Sequence, residues 1–198
     1  NCYGLSTDFR TALATKAQKF LTTEEQMRQF LGSSLPCSLM YADRHAAVAL
    51  VCKKHPIPLR KAPPGDSQSN GVIEQLNRRT QGGVRAPFRS AGLPYCFWPY
   101  AAAHWCALCN FTDRPGGKSS AHFLRYGIPF SGMILPLGCL VYYYPATTKY
   151  VHVSKAEPRL CVGIFLGYDL DYGAVWNGLY IVADLDDFAG QSLDANAP

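Results

Sequence analysis

The stretch SQSNGVIEQLNRRT, Ser67 to Thr80, decides how the rest of the chain is read. Ser69 or Asn70 can cap a helix that starts at about Val72, behind the turn-rich run APPGDSQS. Helical spacing puts Asn70, Glu74, Asn77, Arg78, Gln81 and Arg85 on or near one polar stripe, and Val72, Ile73, Leu76 and Val84 on the other side. Two readings of Glu74 follow. It is either one half of a solvated i, i+4 pair with Arg78, or a carboxylate held on the first turn of a helix for chemistry.

Upstream of this stretch the order of elements is that of an α/β layer fold. Phe9 to Ala17 alternates like a strand. Thr22 and Glu25 form a capping box for a short amphipathic helix that stops at Gly32. Cys37 to Asp43 reads as a buried strand ending in a carboxylate. His45 to Lys54 is a helix with two lysines in its last turn, where the helix dipole favours them. Ile57 to Lys61 is a further short strand. Downstream, Phe97 to Cys109 is apolar nearly all round, as in a buried helix, and Lys118 to Gly127 makes a short helix capped by Ser119 or Ser120. From Ile134 the pattern turns to strands, in ILPLGCLVYYYP, KYVHV, LCVGIFLGYD and AVWNGLYIVADL. Asn177-Gly178 gives a type I′ hairpin signal, and the whole suggests a small barrel.

Charge is distributed unevenly along the 198 residues. From Arg44 to Arg89 nine Lys and Arg face only Asp66 and Glu74, whereas Asp169 to Pro198 holds six Asp and no Lys or Arg. A basic middle of this kind fits a polyanion such as nucleic acid. Eight cysteines at irregular spacing do not make a disulfide scaffold and fit a reducing compartment. The most apolar run, Gly132 to Tyr144, is too short for a membrane span, and no charged-then-apolar leader stands at the start, so no membrane partner is expected.

Other motifs fall away on their own chemistry. Cys106-x-x-Cys109 has no second ligand pair, so its cysteines read as small core residues and not as zinc ligands. GGKSS lacks the first glycine of a phosphate-binding loop, Thr112 standing in its place, and no strand leads into it. His45 and His55 have no nucleophile arranged beside them in the sequence. What remains is Asp43 and Glu74. Carboxylates on rigid elements at the end of a sheet suit a hard divalent cation, and two such ions about 4 Å apart can drive phosphodiester chemistry.

The segment SNGVIEQLNRR, Ser69 to Arg79, resembles the NGVAER.NR signature of copia-type retrotransposon integrases, within the DDE polynucleotidyl transferases. AGLPYCFWPYAAAHWCALCN resembles a helical segment of that family, and TDFRTALATKAQKFLTTEEQMRQFLG is similar to the central part of its ribonuclease-H-like core. LPLGCLVYYYP and PRLCVGIFLGYDLDYGAVWNGLYIVADLDDF resemble the Src-homology-3-like barrel that follows the core. The resemblance implies an α/β fold, with a partial ribonuclease-H-like core over residues 1–92, a helical connector over 93–130, the small barrel over 131–190 and a tail over 191–198.

By the same resemblance Glu74 matches the third catalytic acid and Asp43 the second, thirty-one positions earlier, with Arg44 where the family has Asn or Gly. Both acids would hold Mg²⁺ or Mn²⁺, with their carboxylates within about 8 Å of each other. Asn70, Arg78, Arg79 and Lys61 would contact DNA, both element ends and target. The first catalytic Asp is expected upstream of the first residue, Asp8 being a later, non-catalytic position, so the chain is expected to be incomplete for catalysis. The intact parent would act as a homo-oligomer in the nucleus, after a cytoplasmic particle phase. The other class of function is a non-catalytic nucleic-acid-binding remnant of a transposable element. Gly82, Gly83 and Pro87 predict a kink in the helix after Glu74, since a helix-interior proline costs about 3 kcal/mol.

Overall fold

A computed structural model describes residues 2–12, 20–42, 45–63, 71–145 and 160–190. The predicted β-α-β-α-β order is present in its first half. β1 (Cys2–Tyr3) and β2 (Arg10–Thr11) form an antiparallel hairpin. α1 (Phe20–Leu31) begins two residues before Thr22, so the predicted capping box lies inside the helix. It stops at Gly32, whose φ of 104° is open to a residue without Cβ. β3 (Met40–Ala42) pairs in parallel with β4 (Leu59–Lys61), and α2 (Ala46–Lys54) makes the crossover between them. His45 caps α2 by accepting from the Ala47 amide at 3.3 Å. Val51, Cys52 and Ile57 pack with Met27 and Leu35 between the two helices.

One carboxylate ties α1 to α2. Glu24 accepts from Lys54 Nζ at 2.9 Å and from Arg28 at 3.0 Å, and lies 2.7 Å from His55 Nε2. Those bonds, Lys54 first, hold its carboxyl down at about 2. A carboxyl depressed on folding stabilises the fold above its unfolded value of about 4.5, and that stability is lost as pH falls toward 2. Glu24→Gln is therefore expected to lower Tm by several degrees at pH 7 and to flatten the decline between pH 4.5 and 2. Thermal melts of both proteins across that range check it.

α3 (Gly71–Ala91) runs unbroken for 21 residues, with Pro87 inside it. Within it, Gly83 serves a packing contact with the next helix. A Cβ at Gly83 would lie 2.2 Å from the indole ring of Trp105, so glycine lets the ring sit against the α3 backbone. Trp105 belongs to α4 (Trp98–Phe111), reached from α3 through a 3₁₀ turn at Tyr95–Phe97. Val84 and Phe88 of α3 meet Ala101, Ala102 and Cys106 of α4 in one apolar cluster. Burial pushes the Cys106 thiol up to about 12, so it stays a protonated core group. α5 (Ala121–Tyr126) follows, capped by Ser120, which accepts from the Phe123 amide at 3.1 Å.

The last part is a three-stranded antiparallel sheet of β5 (Leu140–Tyr143), β6 (Cys161–Asp171) and β7 (Val175–Asp184), in the order β5-β6-β7. Its inner face lies on α4, where Phe165 and Tyr168 close over Ala107 and Phe111. His104 of α4 is also buried there. Its Nε2 lies 2.9 Å from the Leu135 carbonyl, which can only accept, so Nε2 carries the hydrogen. Desolvation pushes its pKa down, and the ring is neutral.

The reversal between β6 and β7 differs from the predicted one. Asp171 pairs with Val175, so the turn is Tyr172-Gly173-Ala174, with φ of 82° at Gly173 and 58° at Ala174. Tertiary contacts hold it, since the Gly173 amide donates to the Arg28 carbonyl at 3.0 Å and Ala174 is buried with Phe9 and Phe30. Asn177-Gly178 instead forms a bulge within β7, opposite Asp169. Gly178 has φ 89°, and Asn177 accepts from the Leu179 amide at 3.0 Å and donates to Asp169 at 3.1 Å. KYVHV lies outside the described residues, as does most of Phe9–Ala17 beyond Ala12.

Candidate nucleic-acid interface

Leu76, Thr80, Val84 and Phe88 recur every fourth residue and bury one side of α3. The other side carries its arginines. At 100° per residue, Arg78, Arg85 and Arg89 fall within about 20° of one helical line, which runs for about 16 Å. All three are exposed. Arg79 is exposed as well but lies about 100° round the helix from that line. Its charge reaches Tyr3 of β1, whose phenol pKa is raised by burial first and by the Asp8 hydrogen bond, while Arg10 and, least, Arg79 pull it down. Of the predicted DNA contacts on α3, then, Arg78 lies on the line and Arg79 beside it. Arg85 and Arg89 complete the line. Intervals of seven and eleven residues from Arg78, close to two and three helical turns, were the signal available in the sequence.

Glu74 stands one turn before Arg78 and about 40° from the line. Its Oε2 is 4.0 Å from the Arg78 guanidinium, and the two side chains are 49% and 82% exposed. That is a loose, solvated pair, worth a few tenths of a kcal/mol at most. Lys61 is exposed at the end of β4, and the parallel register sets it beside Ala42. Asp43 and Asn70 lie outside the described residues.

Mg²⁺ and Mn²⁺ take oxygen ligands, and a centre for phosphoryl transfer brings several carboxylates together. Among the described residues no three His, Cys, Asp or Glu side chains converge. Glu74 alone, turned to an arginine, is not such a donor set, so the described residues do not fit a two-ion centre and no step is derived through one. What the surface offers is three guanidinium groups in line, five N–H donors on each, against a single half-exposed carboxylate. Such a donor set suits anionic oxygens. All eight cysteines are free thiols, and no described helix is long and apolar enough to cross a membrane.

No family model matches the chain. It is similar to the "Retrovirus-related Pol polyprotein from transposon TNT 1-94" of Nicotiana tabacum, with 42% identity over 59 residues. That match takes in 30% of this chain and 4% of the polyprotein, so the chain spans a small fraction of the relative's length. The likeness supports a retrotransposon origin for this sequence.

Proposed function

We propose that this chain is an integrase segment of a retrotransposon polyprotein and that it binds DNA along α3. The observation that carries the binding is the exposed line of Arg78, Arg85 and Arg89 on a helix whose opposite side is buried. Three guanidinium groups over about 16 Å match a polymer with a negative charge every 1.7 Å or so of its axis. Lys61 and Asn70 would add contacts, as the resemblance implies. In this reading the β3-α2-β4 unit with α3 is part of a ribonuclease-H-like core, and the β5-β6-β7 sheet is part of a Src-homology-3-like barrel.

The binding is sequence-tolerant, because phosphate contacts fix position and carry no base information. Replacing Arg78, Arg85 and Arg89 together with Ala is expected to flatten the slope of log K against log salt by about 3. Between about 50 and 200 mM salt the original chain should then lose roughly 40-fold more affinity than the variant. Fluorescence anisotropy with a labelled duplex measures this, beside Lys118→Ala as a single-charge control. An unchanged slope would remove the arginine line from the interface.

The resemblance carries a second element, Mg²⁺ or Mn²⁺ at Asp43 and Glu74. The alternative reading, a non-catalytic nucleic-acid-binding remnant, is favoured by Glu74 facing Arg78 across 4.0 Å. Electron paramagnetic resonance of added Mn²⁺ separates them. Uptake lost in both Asp43→Asn and Glu74→Gln supports a metal site. With no uptake, and with Glu74→Gln strengthening DNA binding by removal of a negative charge, the remnant reading stands.

A further inference from the structure

The arginine line of α3 ends beside an aromatic ring that the core does not need. Tyr95 opens the 3₁₀ turn after α3 and is 78% exposed. Its ring leans on Phe88, 5.9 Å between centroids at 36°, and Phe88 is braced edge-on by Trp98 at 6.1 Å. Phe88 is the i+3 neighbour of Arg85, so the ring leaning on it stands on the Arg85 side of the last turns of α3. Phe97, two residues further round the same turn, points elsewhere and stacks on Phe188 at 5.8 Å, next to Asp186 and Asp187. The turn thus has an aromatic side beside arginines and another beside aspartates.

A single exposed tyrosine is ordinary. Here one edge is backed by a braced core ring, the rest is open, and the bracing ring is the helical neighbour of Arg85. Intact duplex keeps its base faces stacked on one another, whereas an unpaired strand offers them to any ring in reach. Stacking also works for every base, in keeping with a surface that reads phosphates and not base edges. We infer that Tyr95 is a base-stacking platform at the C-terminal end of the arginine line, so that the chain prefers nucleic acid with unpaired bases to blunt duplex. The inference rests on the DNA-binding reading above. Arg85 and Arg89 hold the phosphates flanking the stacked base, and Asp186 and Asp187 repel the strand from the far side of the turn.

Three labelled probes test this on the full 198-residue chain: a blunt duplex, the same duplex with a short 3′ overhang, and a single strand of mixed sequence. The unaltered protein is expected to bind the overhang and the single strand more tightly than the blunt duplex. Tyr95→Ala should weaken those two by about tenfold and leave the blunt duplex within about twofold. Tyr95→Phe, which keeps the ring, should restore the preference. In Tyr95→Trp the added indole fluorescence should be quenched by the single strand and not by the blunt duplex. Circular dichroism confirms that each variant is folded. Blunt duplex bound with a steep salt dependence, but no preference that follows Tyr95, would overturn this inference and leave the arginine line standing. Equal losses on all three probes in Tyr95→Ala would overturn it too. No binding of any probe at low salt would remove the DNA-binding reading itself, and this inference with it.

Discussion

Phe165→Ala is expected to remove about 3–5 kcal/mol of stability and to loosen the C-terminal sheet and α4 together. The ring has no solvent exposure. It meets His104 at 5.7 Å, Tyr168 at 5.4 Å and Tyr180 at 6.0 Å, so it contacts α4 and both long strands. Its backbone is committed as well, donating to Cys139 at 3.0 Å and accepting from Gly138 at 2.8 Å. Truncation leaves a cavity beside the His104 imidazole, whose buried Nδ1 has no hydrogen-bond partner. Water entering there would satisfy that nitrogen and relieve the desolvation that now lowers its pKa. The imidazole should therefore titrate at higher pH in the variant, as histidine NMR signals would register. Hydrogen exchange should show faster opening in α4 as well as in β6. Faster exchange confined to the sheet would mean that the sheet and α4 open as separate units.

The second large effect is a reversal of sign between adjacent glycines. Gly82 faces open space, so Gly82→Ala is expected to stabilise α3 by roughly 0.5–1 kcal/mol through helix propensity. Gly83→Ala makes the same chemical change one residue later and should destabilise by about 1–3 kcal/mol, because the new methyl overlaps the Trp105 indole. Thermal melts of the two single variants and the double variant decide it. If Trp105 is the cause, Gly83→Ala combined with Trp105→Leu should recover part of the loss that Gly83→Ala shows alone. Equal and positive shifts at both sites would mean that the indole moves aside without cost.

These glycines show what the sequence could not convey. Gly82, Gly83 and Pro87 break helix propensity within six residues, and local rules read them as a kink. α3 runs on through all three, and the indole that needs the space at Gly83 lies twenty-two residues further on. The Asn177-Gly178 signal failed in a related way. It marked a left-handed glycine correctly, at φ 89°, but a local motif cannot count the residues on the opposite strand. Three residues of β7 oppose Asp169, which makes a bulge, while the reversal is fixed by docking onto the end of α1.

Signals contained within one element were legible. The extent of α2, the Ser120 cap of α5 and the apolar character of α4 all follow from nearby residues. β3, read as a buried strand, is instead part-exposed with Tyr41 open to solvent, because among the described residues it is paired on one side only. In the candidate site, the polar stripe with Glu74 beside Arg78 was readable from helical spacing. The electrostatic reach of Arg79 to Tyr3 was not, because Tyr3 lies on a strand seventy-six residues earlier.

Asn110 has a consequence for how copies of this chain meet one another. Its amide faces the outward edge of β2, accepting from the Arg10 N–H at 3.0 Å and donating to the Arg10 carbonyl at 2.7 Å. A helix side chain thereby stands in for the peptide group of a neighbouring strand. The outward pair on a two-residue strand is the template on which a foreign strand would start, and here it is already filled. Asn110 thus acts as a stopper against edge-to-edge polymerisation, beside the charge that Arg10 itself puts on the strand. Without it, the β1–β2 hairpin would present a free donor and acceptor to any extended chain in a crowded solution.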